Sequence, residues 1–104
     1  MIKWQAWSMG SGWSAPRSAA NLTDLRAKIN KAIKKKEAIY IYGNRNTLSI
    51  KSWESGKVFI GCISKTRDQW LKMSERWSKS KGYDTKTRKE YERYVKLLSS
   101  IKFK

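Results

Sequence analysis

The stretch Ala38-Ile39-Tyr40-Ile41-Tyr42-Gly43-Asn44-Arg45-Asn46-Thr47-Leu48-Ser49-Ile50-Lys51-Ser52-Trp53 decides the fold. On either side of a tetrad of turn formers, branched aliphatic residues alternate with aromatic or polar ones, the period of a β-strand. Gly43-Asn44-Arg45-Asn46 tolerates the tight backbone of a hairpin connection, so the two runs pair antiparallel. Alternation places Ile39, Ile41, Leu48 and Ile50 on one face and Tyr40, Tyr42, Trp53 and Phe59 on the other. Left open, that second face would be a base-stacking platform. A small sheet with several helices is more commonly covered on both sides, so most of these rings are expected in or beside the core. Tyr40, Tyr42 and Trp53 are the best candidates for exposure.

Working outward, Glu54-Ser55-Gly56-Lys57 is a second turn, and Val58 to Ser64 reads as a third strand of the meander. Ile2 to Ser8 alternates around Trp4 and Trp7 as an earlier strand, and the loop Met9 to Pro16 holds two glycines and the chain's only proline. Asn21-Leu22-Thr23-Asp24 has the residues of a helix start, followed by a helix to about Lys36. Leu22, Leu25, Ile29 and Ile33 form its apolar face, and Lys28, Lys31, Lys34 and Lys35 its opposite one. Thr66 with Gln69 forms a capping box for a second helix to about Ser80, whose Trp70, Met73 and Trp77 share a face. Gly82 stops it, and Asp84 or Thr85 caps a third helix that buries Tyr91, Tyr94, Val95, Leu98 and Ile101. The expectation is an α+β domain spanning residues 1–104. It has a small antiparallel sheet of three to four strands and three helices, in the order β-α-β-β-β-α-α.

The 104 residues suffice for one core. Hydrophobic residues make up 39% of the chain, with six Trp, five Tyr and two Phe, which excludes a globally disordered chain. Against 8 Asp plus Glu stand 24 Lys plus Arg, a formal net charge of +16 with no histidine. Such a charge speaks about partners rather than fold, and a polyanion is the partner it suits best. Most of the excess falls on the helical segments. Cys62, the single cysteine, excludes an intrachain disulfide and reads as a small buried hydrophobe within a strand. Eight scattered acids offer no metal-ligand spacing, and no cofactor motif is present. The Gly10-Ser11-Gly12 stretch lacks the Gly-Lys-Ser/Thr ending of a phosphate-binding loop. No apolar run is long enough to span a bilayer and no secretory signal is evident, so a cytoplasmic protein is expected, in the host cytoplasm if the source is viral.

The candidate phosphate ligands are the outer helix residues Lys28, Lys31 and Lys35 of the first helix and Lys86, Lys89, Arg93 and Lys96 of the third. Lysine stripes opposite an apolar stripe are also ordinary solvated helix surfaces. Trp13, in a flexible acid-free loop ending at Arg17, is placed to stack on bases, or else folds into the core. Arg45, at the hairpin tip, is a donor for phosphate or a base edge, while Asn44 and Asn46 have a sufficient explanation in turn geometry.

The expected function is therefore nucleic-acid binding, to DNA or RNA, through basic helix faces with aromatic assistance. The alternative is a small virus- or mobile-element-encoded protein that docks on an acidic surface of a host protein, since Trp and Arg are good interface anchors. Chemistry finds little footing: without histidine, and with no close carboxylate pair other than Glu90 and Glu92, the chain is not expected to be an enzyme. The strand-to-basic-helix passage Val58 to Trp70, followed by Arg88 and Tyr91, resembles RNA-cleaving toxins of the RelE type, which would imply ribonuclease activity. No motif of those toxins transfers residue by residue, and their early helical hairpin has no counterpart.

Overall fold

The computed structural model describes residues 1–32, 37–54 and 56–102. The expected helical residues Ile33, Lys34, Lys35 and Lys36 and the turn residue Ser55 lie outside the described residues. Three strands, β1 (Ile2–Ser8), β2 (Gly12–Trp13) and β3 (Arg17–Ala19), precede helix α1 (Leu22–Ala32). Four more follow, β4 (Glu37–Tyr42), β5 (Thr47–Lys51), β6 (Val58–Ile60) and β7 (Ile63–Lys65), and then helices α2 (Arg67–Ser80) and α3 (Thr85–Ser99). All pairings are antiparallel, in the order β2-β1-β4-β5-β6-β7, with β3 sharing the outer edge of β1 with β2. The α+β class and the sequence of major elements are as expected, but the sheet has seven strands rather than three to four.

Two short edge strands and a split account for the difference. The loop after β1 folds back twice, pairing Trp13 with Trp7 and Arg17 with Trp4. Ser14 stitches the interval, its amide donating to the Ala6 carbonyl (2.8 Å) and its hydroxyl accepting from the Ala6 amide (3.1 Å). The expected strand Val58 to Ser64 is interrupted at Gly61, whose φ of 62° is the left-handed turn a hairpin needs. Cys62, expected to be buried within a strand, therefore lies exposed in the β6–β7 turn. The last helix likewise stops short of Ile101, which packs into the core from beyond the Ser100 cap.

Register fixes which side of the sheet is apolar. Trp4 pairs with Ile41 and Ala6 with Ile39, while Ile39 pairs with Ile50, Ile41 with Leu48, and Leu48 with Ile60. These residues are buried and share one core cluster with Leu25 and Ile29 of α1, Trp70 of α2, and Tyr91, Tyr94, Val95 and Leu98 of α3. All three helices thus lie on the same side of the sheet. The Trp70 indole N–H donates to the Val58 carbonyl (2.7 Å), tying α2 to β6. Edge-on ring contacts run from Trp70 through Trp77 and Tyr83 to Tyr91, with centroids 5.1–5.3 Å apart. These pack α2 and α3 against each other through shaped aromatic surfaces.

Each helix start is capped as its residues dictate. Asn21 Oδ1 accepts from the Asp24 amide, and Asp24 in turn accepts from the Ala20 amide, both at 2.9 Å. Thr66 and Gln69 form a reciprocal capping box, and Asp84 accepts from the Thr87 amide at 2.7 Å. The backbone hydrogen bond from Ala20 holds the Asp24 carboxyl below its ordinary value of 3.8, and that from Thr87 does the same for Asp84. A depressed folded-state value means the capping stabilisation is complete above 3.8, the unfolded value, and fades as pH falls through the folded one.

The β4–β5 turn is anchored on α3. The buried Tyr91 hydroxyl accepts from the Arg45 amide (2.8 Å) and the Asn46 amide (2.7 Å), and Asn44 Nδ2 donates to Thr87 Oγ1 (3.2 Å). The turn approaches α3 so closely that a Cβ on Gly43 would lie 2.6 Å from the Tyr91 ring and 2.7 Å from the Asn46 carbonyl oxygen. Glycine is required there by contact. Tyr91→Phe leaves two amides without their acceptor and should lower stability by about 2 kcal/mol in urea unfolding. Gly43→Ala should be destabilising for the steric reason. Asp84→Asn, which caps without titrating, should flatten the loss of stability that wild type shows below pH 3.8.

Candidate nucleic-acid interface

The expected phosphate ligands fall into distinct groups. Arg17 from β3 and Lys28 and Lys31 from α1 converge on a cleft of about 650 Å³ at the β1–β2–β3 end of the sheet, which Trp4, Ser8 and Ser14 also line. The Arg17 guanidinium sits over the Trp4 ring, 5.1 Å from its centre, within cation–π range. Lys28 Nζ donates to the Ser18 carbonyl (2.8 Å) and lies 3.0 Å from Asp24, so α1 is tethered to β3 and this ammonium is partly compensated. Lys31 is exposed. Lys35, expected alongside it, lies outside the described residues.

Lys86, Lys89, Arg93 and Lys96 form a stripe along the solvent face of α3, all exposed. Their helical spacing places them away from Tyr91, Tyr94 and Leu98, which enter the core. Arg93 and Lys96 share a groove with Arg26 and Leu22 of α1. Arg26 was absent from the expected ligands because sequence alone gave no indication that α1 and α3 are neighbours. Helix α1 thus carries a cation on each flank, Arg26 beside Arg93 and Lys96 and Lys28 beside β3.

Arg45 is placed differently. Its guanidinium lies 5.3 Å from the Tyr83 ring centre and reaches the Lys81 carbonyl at 3.5 Å, at the end of the sheet where the turn meets the α2–α3 connection. It packs on Tyr83, does not line the cleft, and acts with Lys86 on the Asp84 carboxylate at the start of α3.

The face of the sheet away from the helices carries the aromatic residues. Trp7, Trp13, Tyr40, Tyr42, Trp53 and Phe59 share it by register and ring contact. No described helix packs on it, so the expectation that both sides would be covered is corrected. The reason is the alternation itself: one side collects the aliphatic residues that all three helices need, and none is left to cover the other. Trp13 is 54% exposed, Trp53 49% and Tyr42 39%. Trp13, open to either a core or an exposed reading by sequence, is thus on the surface. The Trp7 and Trp53 rings meet edge-on at 5.6 Å, and Trp13 leans on Tyr40 at 4.8 Å. Tyr42 donates its hydroxyl hydrogen bond to Gln5, whose Nε2 donates to the Ser14 carbonyl at 2.8 Å. Burial raises the Tyr40 hydroxyl above its ordinary value, with Tyr42 adding to the effect, so both folding and a neutral ring are favoured below pH 10.

Trp13 belongs to both regions. It lines the basic cleft and also touches Tyr40 on the aromatic face, at the short β2 edge. Trp7 was the residue sequence reading passed over, although its offset of three from buried Trp4 in one strand puts it on the opposite face. Among the described residues no helix is long and apolar enough to cross a membrane. Comparisons with protein-family models, curated proteins and solved structures find no match to this chain. Because Arg45 packs on Tyr83, Arg45→Ala should lower stability by about 0.5–1 kcal/mol and leave the salt dependence of any polyanion binding unchanged. A slope smaller by about one would instead identify Arg45 as a phosphate ligand.

Proposed function

We propose that this protein is a nucleic-acid-binding module that grips the phosphate backbone of DNA or RNA, with no chemistry performed on the strand. The observation that carries the reading is the convergence of Arg17, Lys28 and Lys31 on one cleft, with a second basic groove formed by Arg26, Arg93 and Lys96. Lys28 and Lys31 are neighbours on one helix, and folding brings Arg17 from β3 to them. Asp24 pairs with Lys28 there and the buried Glu37 lies in the cleft wall, while Arg17 and Lys31 are exposed to water.

Folding +16 into a chain with a radius of gyration of 13.1 Å works against stability, because like charges are brought closer together than in the unfolded chain. A polyanion removes that repulsion and releases its own condensed counterions on binding. Arginine at 17, 26 and 93 adds planar, multi-donor recognition of phosphate oxygens to the point charges of lysine. The same surface would attract an anionic protein, but a regular phosphate chain matches cations distributed along two helices and a strand.

Binding should be measured by fluorescence anisotropy with end-labelled DNA and RNA across a range of salt concentrations. The expected result is a steep linear fall of log affinity with log salt. Combined Lys86→Gln, Lys89→Gln, Arg93→Gln and Lys96→Gln substitution should reduce the slope by roughly 3, at about 0.7 per phosphate contact on a single strand. Absence of binding at low salt, or a slope untouched by these changes, contradicts the proposal.

A further inference from the structure

We infer that the helix-free sheet face is a base-stacking platform, and that the nucleic acid it takes is single-stranded. This rests on the nucleic-acid reading above and names its substrate class.

The face combines features that an ordinary solvated sheet lacks. Large rings are left in water: Trp13 is 54% exposed, Trp53 49% and Tyr42 39%, where tryptophan is normally among the more buried residues. These rings are also held in place. Trp53 is braced edge-on by Trp7, Trp13 leans on Tyr40, and Tyr42 is tied to Gln5 through its hydroxyl. A ring already fixed by neighbours loses little conformational freedom when a base stacks on it, so more of the stacking energy is retained as affinity.

The electrostatics select the occupant. By strand register the side chains on this face include Lys3 and Lys51, and Glu37, the acid that falls within β4, has the opposite parity. Lys51 Nζ lies 4.2 Å from the centre of the Phe59 ring, which keeps positive charge at the margin of the aromatic surface. A second copy of this chain would set those lysines, and a net charge of +16, against their own likeness. A single strand meets both demands: its bases offer π-faces to the rings and its phosphates meet the cations. In a duplex each internal base has both faces occupied by its neighbours, so a sheet-borne ring has nothing to stack on.

Trp13 sets the path. Because it lines the cleft of Arg17, Lys28 and Lys31 and also touches Tyr40, a strand held by phosphate in the cleft passes over the short β2 edge directly onto the aromatic face. An edge strand of two residues offers little backbone to obstruct that crossing.

The test compares an oligothymidylate of roughly 16 nucleotides, at the upper end of known single-strand site sizes, with a duplex of the same length. The full-length wild-type chain, Trp13→Ala, Trp53→Ala and the ring-preserving Trp13→Phe and Trp53→Phe are titrated with each. Tryptophan fluorescence and anisotropy are the readouts, and urea unfolding confirms that each variant folds. The account expects tighter binding of the single strand with tryptophan quenching, roughly tenfold to hundredfold loss of single-strand affinity in each alanine variant, and substantial rescue by phenylalanine. Duplex affinity and the salt slope should stay as in wild type. Equal binding of both forms with no effect of the alanine variants overturns this inference and leaves the phosphate reading intact. So does a dimer dissociated by Trp13→Ala with no preference for single strands. Failure of both probes to bind at low salt overturns the two together.

Discussion

The register of β4 between β1 and β5 is the constraint on which the rest depends. In this strand Ile39 and Ile41 point toward the helices and pair with apolar residues on each side, and Tyr40 and Tyr42 point away and pair with Gln5, Ser49, Lys3 and Thr47. A slip by one position would bring Ile39, Ile41, Leu48 and Ile50 to the helix-free side. At about 1.5–3 kcal/mol for each buried aliphatic side chain, the loss would be ~6–12 kcal/mol, comparable to the whole stability of a small domain. The apolar side is therefore fixed with little tolerance, and the positions of Trp7, Tyr40, Tyr42 and Phe59 on the other side follow from it. The proposed binding face is the reverse of the core.

Charge is distributed around this frame in a manner the core permits. Three helices share one face of the sheet, so their outer surfaces turn to water and can carry lysine and arginine without desolvating them. The packing of α1 beside β3 and β1 brings Lys28 and Lys31 to the Arg17 cleft, held in part by Lys28 on Ser18 and by the burial of Leu25 and Ile29, while Arg26 shares a groove with Arg93 and Lys96. The self-repulsion that results is a cost to fold stability, which the proposed association with a polyanion would relieve. Aromatic contacts between α2 and α3, and the capping of each helix start, offset it from within the helical layer.

Much of this was legible in the residues. The hairpin around Gly43 to Asn46, the first strand with its bounds, the Thr66 capping box and the Asp84 cap are local patterns, and local physics settles them. The edge strands β2 and β3 escaped because their pairing depends on β1 presenting a free edge, which two or three residues of sequence cannot announce. Cys62 was misjudged because a single turn glycine, Gly61, converts one apparent strand into a hairpin and turns its tip to solvent. For the site, alternation identified Tyr40, Tyr42, Trp53 and Phe59 as sharing a face. Whether that face was covered depended on where three helices would go, a tertiary outcome. Arg26, likewise, became a partner of Arg93 only through the docking of α1 against α3.

The indole N–H groups of six tryptophans give a direct reporter of where a strand lies. Nitrogen–proton correlation spectra recorded while an oligothymidylate is added should move the indole signals of Trp13 and Trp53. Those of Trp4 and Trp70, which are 1% and 2% exposed, should stay nearly in place. Stationary Trp13 and Trp53 signals under conditions of saturated binding would contradict the account, because the strand would then be held away from the aromatic face.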